Sequence, residues 1–328
     1  MIFAMNYTIK VGKYRVALLD SVNIKKSVEN LADTATIVIP GTHKNQALQI
    51  EDKIKVGDAV EIWLGYDDSL KMEFKGYLNS ISTDDATIQL ECEDALYLFK
   101  KSLKDRELKN ISLKNLLKTI VGEVNKINKD NKTPTNYTVK CDYDFTWEKF
   151  TLFKATAFDV LKKVQDETKA NIYFENETLH IHPPYSEIKN AKAVAFDFVR
   201  NIEKSDLKYV RAKDKNIEVE VTATLPNGKK VTKKIGKPGG ISITKISGSS
   251  NENDMKRLGK SEYDIWVYDG YEGSITCWLI PYVEPTCKIS LHDGSYEYKD
   301  GNYYVIATET SFSSFGGIRK ITLGRKIG

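Results

Sequence analysis

The sequence predicts a mainly β fold with an α+β insertion, in which two small related β-barrels flank a middle region of helices and a hairpin. Both ends of the chain contain short runs of alternating apolar and polar residues, and the middle has apolar residues at helical spacing. The last strands also repeat the order of the first ones. We expect a first β-barrel domain at 1–104, a helical and hairpin α+β domain at 105–190, and a β-rich region with one helix, ending in the second barrel, at 191–328.

The first hundred residues read as strands separated by turn residues. Runs such as ATIVIP, DAVEIWLGY, MEFKGYLNSIST and ATIQLECED follow one another at a spacing typical of a small barrel or sandwich. Asp and Ser in the connections GYDDSLKM and STDDA are residues that stabilise turns. In the next segment, DALYLFKKSL, the apolar residues are at helical spacing, so we expect a helix there.

The middle region is predicted to contain two amphipathic helices and a hairpin. The run SLKNLLKTIVGEVNKIN has one apolar stripe, with Ser112 as its N-cap. TAFDVLKKVQDETK forms the second helix, with Thr156 as a candidate cap and an inward face of Phe158, Val160, Leu161 and Val164. Between the helices, YTVKCDYDFTWEKF is expected to be extended, and ANIYFENETLHIHPP reads as two strands around a tight turn.

From about residue 191 the sequence returns to alternating β patterns. PNGKK between two alternating runs predicts a hairpin with a type I′ turn, because Asn-Gly accepts positive φ angles. SSNENDMKRLGKSEYDIW predicts one helix capped near Ser250 or Asn251. The closing order, CKISLH, then GNYYVIATETSF, then IRKITLG, faintly repeats the order DAVEIWLGY, FKGYLNSIS, ATIQLECED, which suggests two related barrels.

Composition and charge indicate a protein made in the cytosol. The chain has 328 residues, enough for two or three domains, and its 41% hydrophobic and 29% charged residues are ordinary for a globular fold. The net charge of +4 is small, and pairs such as Lys25-Lys26 and Lys233-Lys234 are scattered, so we expect solvated faces and no nucleic-acid specificity. No signal-peptide pattern and no apolar run of membrane-spanning length is present in the sequence.

His180 and His182 are the strongest metal-ligand candidates, because residues two apart in a strand point to the same face. A catalytic zinc site needs three protein ligands and a structural site usually four. The other histidines, His43 and His292, come without an HExxH motif or a nearby ligand cluster. We therefore expect His180 and His182 to be metal-free strand residues, with Pro183 stopping the strand because it has no N–H to donate.

Other reactive patterns are equally weak. Four dispersed cysteines, with no CxxC pair, are expected to be reduced and mostly buried, and the chain has no GxSxG elbow. GKPGG and SSFGGIRK match neither the GxxxxGK[ST] nor the GxGxxG phosphate-binding motif, and we expect both to be β-turns. The acids in DGYEG (269–273) and CEDAL (92–96) are expected at turns and helix starts, and the tyrosines of GSYEYKDGNYYV on a half-buried strand. No catalytic, cofactor-binding or metal-binding residue is predicted, and we expect no enzyme.

The order of elements resembles the baseplate hub proteins of contractile phage tails. The likeness lies in one helix, one hairpin and one glycine-rich segment near the C-terminus. The helix contains Thr156, Ala157, Phe158, Val160 and Leu161, and the hairpin runs from Asn171 to His182. The glycine-rich segment contains Gly270, Gly273, Ile280 and Pro281. These patterns are similar to the late control protein D family, to the tail hubs of phages Mu and T4, and to the N-terminal part of type VI secretion spike proteins. The usual Pro-Gly-Asp turn is replaced by Pro285-Thr286-Cys287.

This resemblance implies a structural hub. The family implies a homotrimer in which six similar barrels form a pseudo-sixfold ring that joins a tail tube to a central spike. The implied partners are a tail tube or tube-initiator protein, baseplate wedge proteins and a separate spike protein, since no spike-like repeat follows the second barrel. The particle would be a virion tail baseplate or an equivalent injection machine assembled in a bacterial cytoplasm. A tail-associated cell-wall hydrolase and a carbohydrate-binding β module remain the alternative hypotheses.

Overall fold

The computed structural model describes residues 4–40, 53–67, 69–84, 86–225, 227–294 and 296–327. His43, one of the histidines considered above, lies outside these residues. Strands dominate the described part of the chain, which confirms the mainly β fold class. Its α-helices are α1 (Leu113–Asp130), α2 (Ala157–Thr168) and α3 (Glu252–Trp266). None of the described helices is long and apolar enough to cross a membrane.

The strands of the first half are β1 (Met5–Val11), β2 (Tyr14–Arg15), β3 (Ser21–Ser27), β4 (Thr34–Pro40), β5 (Ala59–Tyr66), β6 (Ser69–Thr83), β7 (Thr87–Glu93), β8 (Arg106–Ser112), β9 (Thr138–Cys141), β10 (Thr146–Leu152), β11 (Asn171–Glu175) and β12 (Thr178–His182). Those of the second half are β13 (Val194–Asp197), β14 (Lys204–Val210), β15 (Ile217–Thr224), β16 (Lys230–Gly236), β17 (Ile241–Ile246), β18 (Gly270–Trp278), β19 (Lys288–His292), β20 (Gly301–Ser313) and β21 (Gly316–Lys326).

Contacts divide the chain into two compact units. Unit 1 contains Met1–Tyr97, Lys189–Lys208 and Glu272–Gly328, and unit 2 contains Leu98–Ile188 and Tyr209–Tyr271. This division differs from the three consecutive domains predicted above, because β14 and β18 are neighbours in one sheet. The segment between these two strands is therefore an insertion into the second barrel, and it is grouped with the middle region.

Unit 1 contains two six-stranded arrangements with the same spatial order. In the N-terminal barrel sheet the order is β3-β4-β7-β6-β5-β1, and in the C-terminal barrel sheet it is β14-β18-β21-β20-β19-β13. When the strands are matched by their position in the two sheets, they also follow one another along the chain in the same sequence. By this match, β6 is equivalent to β20 and β3 is equivalent to β14. The faint repeat in the sequence therefore corresponds to a real structural repeat. One pairing differs, since β1 pairs with β5 antiparallel whereas β13 pairs with β19 parallel.

The core of the N-terminal barrel sheet comes from the alternation along its strands. Every second residue points to the same face, and alternate residues of all six strands meet in one apolar cluster. Representative members are Ile9, Ile24, Ile37, Ile62, Phe74 and Leu90, each at most 2% exposed. In the C-terminal barrel sheet, every strand likewise has a buried apolar residue, and these include Phe196, Val210, Ile275, Ile289, Val305 and Ile321.

The described residues of unit 2 form three small sheets and the helices α1, α2 and α3. β12 lies between β11 and β9, β8 pairs with β10, and β15 lies between β16 and β17. Met255 and Leu258 of α3 pack on Val219 and Val221 of β15. The hairpin of β11 and β12 was predicted at this place, and β12 ends at His182, immediately before the two prolines.

All three predicted helix caps are confirmed. The Ser112 hydroxyl accepts the Asn115 N–H at the start of α1. Thr156 and Asp159 form a reciprocal capping box at the start of α2, and the Asn251 side chain caps α3. Each cap depends on residues within three positions of one another, which is why the local sequence predicts it well.

Three local predictions are wrong or only partly right. DALYLFKKSL forms a short 3₁₀ turn, Ala95–Phe99, and no α-helix. The hairpin at PNGKK is present, but the Gly228 N–H donates to the Leu225 carbonyl, so Asn-Gly is not the central pair of a type I′ turn. Phe158 is only partly buried, whereas Val160, Leu161 and Val164 form the inward face of α2.

The turn that departs from the family pattern adopts a left-handed backbone. Thr286, which stands where the usual turn has glycine, has φ of 69°, a region that a β-branched residue rarely adopts. Its N–H donates to the Val305 carbonyl, and the Cys287 N–H donates to the Glu284 carbonyl. The turn is therefore kept with a residue less suited to it.

Candidate functional site

The junction between the two barrel sheets is the most distinctive structural feature of unit 1. β20 pairs with β21 along most of its thirteen residues. On its other side, the first part of β20 pairs with β19, and Ala307–Ser313 pair antiparallel with Ser21–Ser27 of β3. This change of partner within one strand joins both barrel sheets into one sheet, which has thirteen strands among the described residues.

Polar side chains connect β20 and β3 across the junction. The Asn23 amide donates to a Glu309 carboxylate oxygen at 3.1 Å and to the Ser311 hydroxyl at 3.0 Å. Lys25 lies 3.6 Å from Glu309. These contacts are partly exposed, so they fix the pairing of the two strands more than they stabilise the fold.

Beside the junction, a fully buried arginine joins elements of both barrel sheets. Arg319 of β21 is 0% exposed, and its guanidinium donates to the carboxylate of Glu73 in β6, which is 3% exposed. It also donates to the Leu279 carbonyl and, at 3.3 Å, to the Thr310 hydroxyl. The Tyr282 ring lies over the guanidinium carbon, with its centroid 4.9 Å away. The buried charge is thus paired and hydrogen-bonded on several sides.

The same part of the repeat has an open strand edge in the N-terminal barrel sheet. β5 pairs with β6 only as far as Tyr77, and β7 covers the other side of β6 as far as Thr83. Within the described residues, no strand pairs with the free side of 80–83. The equivalent part of β20, its C-terminal half, pairs on the same side with β3.

The second open edge is β14, the equivalent of β3. Among the described strands, β14 has β18 as its single neighbour and ends the long sheet, whereas β3 lies between β4 and β20. Its first three residues, Lys204, Ser205 and Asp206, are exposed. Exposed strand edges readily pair with another chain. Unit 1 therefore presents two complementary edges, each equivalent to one side of the internal junction.

Asp94, from the CEDAL motif, forms a close pair with Asp33. The Asp94 carboxylate accepts the N–H groups of Leu96 at 3.0 Å and Asp33 at 3.3 Å, and the Asp33 carboxylate accepts the Ser27 N–H at 3.0 Å. Burial raises the pKa of Asp33 to about 6, and burial together with the charge of Asp33 raises the pKa of Asp94. The pair has the elevated pKa values of an acid catalyst, but its oxygens bind backbone N–H groups.

The change in stability of unit 1 on replacing Asp94 with asparagine is expected to be more favourable at pH 8 than at pH 5. Burial gives both carboxyl groups a folded pKa above the unfolded one, so their protonated forms favour folding below about pH 4. For Asp33 this contribution is lost as pH rises through about 6. The lost backbone hydrogen bond costs about 1 kcal/mol at either pH.

The pH-dependent part of the difference is therefore the informative quantity, and we expect the variant to gain stability relative to the wild type between pH 5 and pH 8. Urea unfolding of the wild type and the variant at both pH values measures it, with Asp84→Asn as a control in an exposed turn of the same unit. Equal effects of Asp94→Asn at pH 5 and pH 8 would show that the pair is not strained by its charge.

His180 and His182 lie on β12, side by side on one face, as predicted. Both are buried, and the Tyr173 ring stacks on His180 at 5.3 Å and meets His182 edge-on. One His182 ring nitrogen is 2.8 Å from the Pro183 carbonyl oxygen, and burial lowers the pKa of His182. The described residues contain no group of three or more His, Cys, Asp or Glu side chains arranged to hold a metal ion. That both histidines are metal-free stays a prediction.

The remaining candidate residues are dispersed. His292 is paired with Asp300 on the surface, far along the chain from the β12 histidines. In DGYEG, Asp269 accepts the Ala212 N–H at 3.0 Å, which is a turn role. All four cysteines are free thiols, and burial raises the pKa of Cys92 to about 12 and that of Cys277 to about 11. These thiols are therefore protonated and poor nucleophiles at neutral pH.

The tyrosine-rich segment is divided between core and surface. Tyr303 and Tyr304 are fully buried in β20, whereas Tyr296 is 51% exposed and Tyr298 is 63% exposed. Tyr296 immediately precedes a 3₁₀ turn, and Tyr298 lies within it. The prediction of a half-buried strand is therefore wrong for both pairs of tyrosines. The first pair precedes β20, and the second pair consists of neighbouring residues that are both buried, so neither face of β20 is exposed there. The Lys299 ammonium lies 3.8 Å from the Tyr296 ring centroid and occupies that face of the ring.

Comparison with known structures identifies the fold. The chain superposes on a tail protein from Neisseria meningitidis MC58 with a TM-score of 0.70 and 14% identity, covering 97% of this chain and 96% of that one. For the 43 kDa tail protein of prophage MuSo2 from Shewanella oneidensis, the TM-score is 0.69 with 13% identity, and 98% of each chain is covered.

A component of the E. coli type VI secretion system, structurally similar to T4 bacteriophage tail proteins, matches with a TM-score of 0.61 and 8% identity over 98% of this chain and 77% of that one. No protein-family model matches the chain, and no curated protein sequence matches it significantly. The chain therefore has the tail-hub fold that phage tail proteins share with components of type VI secretion systems.

Proposed function

We propose that this protein is the structural hub of a contractile tail or a related injection machine, in which three copies form a ring of six barrels. The observation that carries this proposal is the pairing of β20 with β3, which joins two equivalent barrel sheets edge to edge within one chain. A contact between equivalent modules within a chain is one that can recur between chains.

The internal repeat says where this second contact would lie. β20 is equivalent to β6 and β3 to β14, so the partner of the free edge at 80–83 in β6 would be β14 of another copy. Both edges are open in the described part of the chain. Antiparallel pairing of the two strands would reproduce the β20–β3 junction between neighbouring subunits.

Such a contact uses different surfaces on the two partners and therefore generates a ring if its rotation closes. A rotation of about one sixth of a circle between neighbouring barrels closes the ring with six barrels, and therefore with three chains. This is the arrangement implied by the family that the sequence resembles. The ring is sixfold in its barrels and threefold in its subunits. This is the symmetry required to join a tail tube or tube-initiator protein to a separate threefold spike, with baseplate wedge proteins around it.

We infer a non-catalytic role and assembly, after synthesis in the bacterial cytoplasm, into a virion tail or an equivalent particle. The Asp33–Asp94 oxygens bind backbone N–H groups, which disfavours the alternative of a cell-wall hydrolase acting through this pair. Lys299 over the Tyr296 ring likewise disfavours an open sugar-stacking platform. The fold of phage tail proteins favours the structural role.

Sedimentation velocity or light scattering of the purified full chain tests the ring directly. We expect a species of three times 37.2 kDa, without intermediate dimers at concentrations where the ring is closed. A protein that remains monomeric up to about 100 μM, a concentration at which an interface with micromolar affinity would be occupied, would contradict the proposal.

A further inference from the structure

The hairpin between β20 and β21 ends in an exposed aromatic knob. Ser313 pairs with Gly316, so Ser314 and Phe315 form the tip, and Phe315 is 98% exposed. Trp278 at the end of β18 is 52% exposed, and an added Cβ on Gly316 would be 3.8 Å from its ring. We call Trp278 and Phe315 the aromatic knob. So much exposed aromatic surface at one place is typical of an interaction site.

The equivalent hairpin of the N-terminal barrel sheet has opposite chemistry. Between β6 and β7 the sequence is Asp84-Asp85-Ala86. The Asp84 carboxylate accepts the N–H groups of Ala86 at 2.8 Å and Thr87 at 2.6 Å, and these bonds lower its pKa, so it stays ionised. At equivalent positions of the repeat, one hairpin thus carries an aromatic knob and the other a fixed negative charge.

This difference has a geometric consequence that rests on the proposed ring. Since the sheet edges pair around the ring, the strand ends lie at its two faces, and the two hairpins, being equivalent, lie at the same face. Around this face, aromatic knobs and acidic tips would alternate, three of each. A sixfold partner would meet two different surfaces at equivalent places, whereas a threefold partner can match all three knobs.

We propose that this face docks a threefold-symmetric protein, the central spike, and that each aromatic knob enters an apolar pocket of one spike subunit. A single exposed aromatic anchor often carries a large part of the binding energy of an interface. The acidic tips lie between the knobs and disfavour rotation of the spike by one barrel, because such a rotation would bury aspartate in the pockets. The knob therefore sets both affinity and rotational register.

The experiment mixes the purified full-length chain with a purified trimeric spike protein from the particle that contains this chain and measures binding by interferometry, after light scattering has established the mass of the hub. Phe315→Ser and Trp278→Ser are compared with Ile241→Ser, a control that removes an apolar side chain, 73% exposed, in unit 2. We expect the hub variants to stay trimeric and Phe315→Ser to weaken spike binding at least about thirtyfold, with little change for the control.

The contradicting outcomes are distinct. A monomeric wild type refutes the ring and this inference together. A trimeric wild type that does not bind the spike, or a Phe315→Ser trimer that binds it as tightly as the wild type, refutes the docking but leaves the ring. If Phe315→Ser abolishes the trimer, the knob is a contact between copies of this chain, and the docking assignment is wrong.

Discussion

Replacing Glu73 with alanine is expected to destabilise unit 1 by about 3–5 kcal/mol, because the guanidinium of Arg319 then remains buried without its carboxylate. Arg319 is 0% exposed and cannot reach water without opening the sheet. Its hydrogen bonds to the Leu279 carbonyl and the Thr310 hydroxyl persist, but neither acceptor carries a charge. Glu73→Gln is expected to lie between the wild type and the alanine variant, since the amide oxygen still accepts the Arg319 N–H.

A double variant separates the cost of an unpaired charge from lost packing. Replacing Arg319 with methionine and Glu73 with leucine removes both charges at similar volume, so we expect it to be more stable than Glu73→Ala alone. Lys25→Ala is the matched control, because it breaks the exposed pair with Glu309 in the same unit and should cost about 0–1 kcal/mol.

Urea unfolding at a fixed protein concentration gives the free energies, and hydrogen exchange of peptides from β20 and β21 assigns the loss to unit 1. Equal, small losses for Glu73→Ala and Lys25→Ala would show that water reaches the buried pair.

The sequence identifies this arginine only in part. Arg319 is in phase with Ile321 and Leu323 along β21, so strand alternation places it on the inward face. Nothing in the local pattern indicates its partner, because Glu73 is 246 residues away and is brought close by the junction of the two sheets. The Asp33–Asp94 pair was missed for the same reason, since the two carboxylates lie in separate turns 61 residues apart.

The features that the sequence predicts well are those determined over short distances. Ser112, Thr156 and Asn251 cap their helices because each cap needs only the next three residues. The chain order of the last three strands in each half of the repeat was also predicted, because alternation and turn residues mark each of these strands. The change of partner within β20 was not, since alternation specifies which face a residue occupies but not which strand lies beside it.

Replacing Thr83 with proline is expected to convert the proposed trimer to monomers without unfolding the chain. The Asp84 N–H donates to the Thr87 carbonyl, so residue 84 faces β7 and, by alternation, the Thr83 N–H faces the open edge of β6. Proline removes this donor and places its ring where β14 of another copy would approach, yet it leaves the β6–β7 hydrogen bonds in place. Thr83 is exposed, so no core packing is lost.

The effect should be large because the same contact would occur three times in the proposed ring, and we expect the substitution to weaken each contact by at least about tenfold, or 1.4 kcal/mol. Thr83→Ala, which keeps the N–H, is the matched control and should remain trimeric. Light scattering over a concentration series measures the masses, and circular dichroism verifies that the monomer is folded. If Thr83→Pro were folded and trimeric like the wild type, the subunits would have to meet through surfaces other than the β6 edge, and the internal junction would not be the template for the ring.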